Sequence, residues 1–310
     1  MPDVDFAQCA AIAALNAAAA LLVGVQLALA GLLPRATPWS LARFGKLRRA
    51  AQIGVGVALL AGVVALWLEA ASMAEVTPLR AWPAVFAMLI QTHYGHAWIA
   101  GTAALLVLAV ANWRGRAPQS RGLAGLGLLA LMAFFAARSA VSHAASDGGL
   151  SLAFAADWAH LVLIGVWAGT VLMAATLVLN RPAALAEQDG RHCADYLAAL
   201  SRSATWALAG VGVTGLLGAR HNLLGVGDLL GTAYGVTLLA KLALVALAVL
   251  LGGANRLLVM PALLSRLRSG AGGGPELRRF VLILRIEALV LCCVLVAAAL
   301  LSATAPPTAG

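Results

Sequence analysis

The stretch DWAHLVLIGVWAGTVLMAATLVL, residues 157–179, decides how the rest of the chain is read. Asp157 and His160 sit at its start, and from Leu161 to Leu179 nothing is charged. As a helix rising about 1.5 Å per residue, such a run is long enough to cross a hydrocarbon core of roughly 30 Å. In lipid the backbone has no water to bond, so its N–H and C=O groups must be satisfied internally, which a helix does.

The same pattern recurs along the 310 residues, of which 62% are hydrophobic and only 11% charged. A soluble domain carries roughly 25% charged residues, and the mean hydropathy of +0.93 fits a lipid-embedded chain. Eight spans are predicted, at 8–33, 50–74, 96–112, 122–142, 157–179, 203–219, 232–252 and 280–302. The fold class is therefore all-α: a polytopic membrane helical bundle with eight transmembrane helices, forming one membrane domain over residues 1–310. Gly54, Gly56, Gly210 and Gly212 are small enough to admit a neighbouring helix, although glycine is also simply tolerated in membrane helices. The first span is not expected to be a cleaved signal peptide, because Asp3 and Asp5 stand where a basic region belongs and the apolar run is too long.

Arginine and lysine set the orientation. Between spans 1 and 2 lie Arg35, Arg43, Lys46, Arg48 and Arg49. Between spans 3 and 4 lie Arg114, Arg116 and Arg121. Arg181, Arg191 and Arg202 separate spans 5 and 6, and Arg256, Arg266, Arg268, Arg278 and Arg279 follow span 7. The alternate connections hold only Arg80 and Arg220. The basic loops face the cytoplasm, so both termini are expected outside. The net charge of +9 follows from this bias and implies no nucleic-acid partner. The loops are too short to build a soluble catalytic domain, and no phosphate-cradling motif is present.

On this map His93, His96, His143, His160 and His221 share the outer leaflet, and only His192 is cytoplasmic. His93 and His96 are i, i+3, as are Asp157 and His160, a spacing that puts each pair on one helical face. The bend at SDGG returns span 5 beside span 4 and can bring His143 to His160. Imidazole suits copper, zinc, iron and nickel, and thioether suits Cu(I), so Met73 and Met88 join the candidates. Asp157 is expected to orient the His160 ring. The competing reading for each histidine is a hydrogen bond at a helix end, and for each methionine ordinary packing. The four cysteines form no CxxC, although His192–Cys193 is a possible metal contact. Glu69, Arg138, Lys241, Arg285 and Glu287 fall inside spans, where charge is costly and turns toward protein or a wet cavity. Glu69 with Arg138, and Lys241 with Glu287, are the expected pairs.

THYGHAW at 92–98, SHAA at 142–145, HLVLIGVWAG at 160–169, TAYGVTLLAKLALVALAVLLGGANRLLVMP at 232–261 and LRIEALV at 284–290 resemble motifs of the copper resistance protein D family. The resemblance covers most of spans 3 to 8. It implies an eight-span bacterial inner-membrane protein, not an enzyme, that moves copper (Cu+ or Cu2+) inward from the periplasm. It also implies a separate periplasmic copper carrier of the CopC type as partner, besides the lipid bilayer itself. His143 and His160 match motif positions, whereas His93 and His96 occupy variable positions of a T-x-Y-G-x-x-W pattern. Two other functions compete. A haem-binding redox protein would use paired helix histidines as axial ligands, but the inner half of the bundle has none, which argues against transmembrane electron transfer. A non-transporting copper-holding partner or sensor needs the outer site but no inward path. The sequence sets no oligomeric state.

Overall fold

The computed structural model describes residues 2–33, 38–113, 120–142, 151–179, 187–222 and 228–304. The described residues are helical, with no strand among them. In chain order the helices are α1 (Pro2–Leu27), α2 (Pro38–Met73), α3 (Trp82–Gln91), α4 (His93–Trp113), α5 (Arg121–Ser139) and α6 (Leu152–Met173). They continue with α7 (Glu187–Asn222), the single turn α8 (Asp228–Gly231), α9 (Ala233–Ala254), α10 (Met260–Arg268) and α11 (Gly274–Ser302). Five-residue π-helical segments extend α1 over Ala28–Leu32 and α6 over Ala174–Val178, and a third, Asn255–Val259, joins α9 to α10.

Seven of the described segments are long and apolar enough to cross a membrane. The eighth crossing is α7, whose first half is too polar to qualify by hydropathy but whose two ends meet opposite ends of the bundle. At one end Tyr196 packs edge-on against Trp39, with ring centroids 6.1 Å apart. At the other, Thr214 meets the first turns of α6 at His160. The expected eight-helix bundle is thus present, with shifted boundaries. Helix α2 begins at Pro38 rather than 50, because Trp39, Phe44 and Leu47 bury an apolar stripe while Lys46 and Arg49 stay exposed. Arg43 stacks over Trp39, 4.3 Å from the ring centroid, and donates to the Val178 carbonyl at 2.7 Å. This ties the start of α2 to the end of α6. The short α3 falls between predicted spans. It packs against the end of α2 through Val85 and Met88 and lays Trp82 beside Trp67.

The second half of the bundle repeats the plan of the first. Helix α1 pairs with α2 and α4 with α5; α6 pairs with α7 and α9 with α11. Both α1 and α6 end in π turns, and α2 and α7 are each 36 residues long. The T-x-Y-G sequence opens both α4 and α9. In each, the threonine hydroxyl accepts from the glycine N–H at 3.0 Å, Thr92 from Gly95 and Thr232 from Gly235, which caps the helix start. The halves meet where α1 crosses α6. A Cβ on Gly24 would lie 2.0 Å from the Gly169 carbonyl oxygen, and one on Gly169 would lie 1.9 Å from that of Ala20. Only glycine on both sides allows backbones this close. Of the glycines singled out in the sequence, Gly54 and Gly210 face neighbouring leucines, while Gly56 and Gly212 face open space. One relation is not repeated. Helix α4 packs on α2, but α9 makes no comparable contact with α7, and a cavity lies between them.

Candidate functional site

Among the described residues, two cavities inside the bundle carry polar side chains. The one on the side that the arginine and lysine pattern predicts to be periplasmic, named the outer cavity on that expectation, has about 260 Å³ and is bounded by α1, α5, α6, α9 and α11. Its polar wall is made by Asn16, Arg138, Asp157, His160, Tyr234 and Lys241, with Ser142 and Ser302 at the rim.

His160 is held through one ring nitrogen. Its Nδ1 lies 2.9 Å from Thr214 Oγ1 on α7. That hydroxyl has one proton, and Thr214 Oγ1 donates it back to the Gly210 carbonyl at 2.8 Å, as helical threonines commonly do. Thr214 is therefore the acceptor and the imidazole carries a proton on Nδ1, which in the neutral ring leaves the lone pair on Nε2. The Nδ1–Cε1 edge rests on α7, 3.5 Å from where a Cβ on Gly215 would stand. A neutral imidazole fixed by an N–H bond at one nitrogen and free at the other is the form that ligates metals.

Asp157 does not perform the expected orientation of this ring. Its Oδ2 accepts from Ser139 Oγ at 2.8 Å and from Ser142 Oγ at 3.0 Å, so it ties the end of α5 to the start of α6. The i, i+3 spacing put Asp157 and His160 on one face, but two nearer hydroxyls on α5 took the carboxylate and a threonine on α7 took the imidazole. Arg138 donates to Asn16 Oδ1 at 2.8 Å, and Glu69 instead accepts from Gln8. Lys241 lines the outer cavity, three turns of α9 away from Gly252, against which Glu287 packs. That separation is roughly 16 Å along the helix, beyond the reach of a lysine side chain. The expected Lys241–Glu287 pair is therefore replaced by two separate sites at different depths.

The remaining candidates scatter. His143 lies outside the described residues. The described chain stops just before it, at Ser142, whose hydroxyl is bound to Asp157. His93 and His96 are exposed at the start of α4 and do not line the cavity. Met73 is exposed at the end of α2. Met88 is buried among Leu66, Ala70 and Val85, where packing accounts for it. His221 closes α7 with its side chain outside the described part. His192 is half-buried on α7 beside Cys193, ahead of the crossing segment. Burial pushes the Cys193 thiol up to about 12, so in the metal-free protein it is a thiol. Among the described residues no three histidine, cysteine or acidic side chains come together as a metal cluster.

The inner cavity, of about 170 Å³, lies between α6, α7, α9 and α11. Glu287 enters it from α11, 4% exposed, with the Trp167 ring in the same wall. Asn255, 3% exposed, donates its amide to the Phe280 carbonyl at 3.1 Å and leaves Oδ1 without a partner. Sequence reasoning passed over Asn255, Asn112 and Gln26 because none is charged. Yet Gln26 Nε2 donates to Asn112 Oδ1 at 2.9 Å in the core. The signal was the doubled T-x-Y-G motif, each copy followed by an asparagine near the inner end of its helix.

Comparison with known proteins agrees with this architecture. The family model "Copper resistance protein D-like, N-terminal domain" matches residues 1–153, and "Copper resistance protein D" matches residues 194–301. The first match spans the first half of the repeat, and the second begins within α7, leaving most of α6 between them. His143 falls in the first and Thr214, Lys241, Asn255 and Glu287 in the second, while Asp157 and His160 lie between them. Copper resistance protein D of Pseudomonas syringae pv. tomato is 32% identical over 212 residues, covering 66% of this chain and 67% of that protein. No solved structure matches the chain. With two family models and this relative covering both halves, the chain belongs to the copper resistance protein D family, a family of multi-pass membrane proteins of copper resistance.

Proposed function

We propose that the whole chain acts as one membrane unit in the bacterial inner membrane, takes copper at the periplasmic face and passes it inward. It acts as a transporter rather than an enzyme. The observation that carries this reading is His160, fixed through Nδ1 to Thr214 at the wall of the outer cavity, so that the neutral ring would offer Nε2 as a ligand. The wall also explains selectivity. Arg138 and Lys241 outnumber Asp157, so the cavity is a poor trap for hard divalent cations, which need several oxygen ligands. Copper accepts neutral imidazole nitrogen and is not excluded on that ground. His143, from the segment that follows Ser142, is the proposed second ligand, with His96 or His93 as a third. A CopC-type periplasmic carrier is the proposed donor.

Purified protein in proteoliposomes should accumulate copper, and His143→Ala/His160→Ala should abolish the accumulation. Tight binding without accumulation would instead favour a copper-holding protein that does not transport. Topology is tested separately. In a cysteine-free background, a cysteine at position 148 should react with an impermeant reagent added outside, and one at position 271 should not. The opposite pattern would invert the inward direction.

A further inference from the structure

We propose that Glu287 and Asn255 form a proton-exchange site in the inner cavity, at which the Glu287 carboxyl takes up a proton and donates it to Asn255 Oδ1, directly or through one water. Asn255 Oδ1 is a buried acceptor with nothing to accept from. Glu287 faces the same space, and its carboxylate reaches the helix that carries Asn255: a Cβ on Gly252 would lie 2.9 Å from Glu287 Oε1. Gly252 and Asn255 are i, i+3 on that helix, so they share a face one turn apart. Two acceptors turned to one cavity need a donor between them, and a protonated carboxyl supplies one.

The surroundings narrow the ligand to a proton. Among the described residues Arg256 is the only other ionisable side chain lining this cavity; α6, α7, α9 and α11 contribute none to its wall apart from Glu287 itself. The Arg256 guanidinium is turned to α7, where it donates to the Ser201 carbonyl at 3.2 Å and to the Thr205 hydroxyl. Besides the carboxylate and the amide oxygen the wall offers a metal only the Met260 thioether and the hydroxyls of Ser201 and Thr205, a mixed set of one soft and several hard donors beside a guanidinium, which suits a proton better than a metal ion. Asn255 also begins a π-helical segment, a local widening that recurs at functional sites. The cavity lies where α9 stands off α7, whereas α4 packs on α2 in the first half of the bundle.

The site lies below the outer cavity. On α9 the step from Lys241 to Ala248 is roughly 10 Å of helix, and the buried Leu291 of α11 fills the interval. A proton bound here and released as a cation arrives from above would couple the two movements. That coupling role rests on the import reading; the proton site itself does not.

Infrared spectroscopy of the copper-free protein tests the site. Between about pH 5 and 9, a protonated-carboxyl C=O band should be strongest at the acid end and fall as the pH rises. Glu287→Gln should remove it, and Asn255→Leu should keep it but shift its frequency, because its acceptor is gone. Should Glu287→Gln not fold, carbodiimide labelling of the wild-type chain gives the same answer: Glu287 should be modified, less so at high pH. Absence of both a Glu287-dependent band and labelling over that range overturns the proposal, whatever the result of the uptake assay. So does an Asn255→Leu band identical to wild type.

Discussion

Replacing Gly169 by alanine is expected to unseat α1 from α6 and give the largest loss of stability of any single substitution considered. The added methyl would stand 1.9 Å from the Ala20 carbonyl oxygen, far inside contact distance. Overpacking a core typically costs about 1–3 kcal/mol, because a crowded side chain can rotate or shift. Here the obstacle is backbone on both sides, so the helices themselves must part, and the loss is expected at or above about 3 kcal/mol. Gly24→Ala meets the Gly169 carbonyl oxygen at 2.0 Å and should behave alike. Gly212→Ala, which faces open space, should change stability by no more than about 0.5 kcal/mol. Unfolding of the three variants in detergent measures the contrast. Equal stability of Gly169→Ala and Gly212→Ala would show that the α1–α6 crossing does not hold the two halves together.

His160→Ala is expected to produce the largest loss of copper binding among the described residues. It removes the one imidazole that lines the outer cavity with a free lone pair. Thr214→Val keeps the ring but removes its hydrogen-bond partner, and losing such an outer partner lowers metal affinity roughly 10- to 100-fold. Thr214→Ser retains the hydroxyl and should stay near wild type, which separates positioning from mere packing on α7. His192→Ala lies at the opposite end of α7 and should leave affinity unchanged. Binding should weaken on acidification, because protonation takes the lone pair that copper needs. Isothermal titration with copper reads all four variants. A His160→Ala protein with native affinity and stoichiometry would falsify the outer site.

Much of the architecture was legible in the amino-acid order. Long uncharged runs dictate helices because the backbone has no other partner in lipid, and the helices came out where those runs lie. Their ends were less legible. The Trp39–Leu47 stripe that starts α2 early, and the polar first half of α7, are amphipathic segments packed under the bundle, so hydropathy alone cuts them off. The site was legible only as an inventory. His160 was found because imidazole is rare in such a run. Its partner Thr214 was not, since a threonine in a membrane helix usually bonds its own backbone; this one does so and still accepts from the ring.

What the sequence determined by itself is the class of molecule: the membrane environment, the helical form, the number of crossings and the residue types available for copper. These follow from composition and run length, which act residue by residue against the solvent. Only the tertiary structure decided which side chains meet. The Asp157–His160 and Lys241–Glu287 pairings were reasonable by spacing, yet Asp157 went to two serines and Glu287 to the face of α9 at Gly252. The pairing of two groups depends on the depth and rotation of helices far apart in sequence. Those are set by where backbones can approach, at Gly24 and Gly169, and by where they are held apart, between α7 and α9.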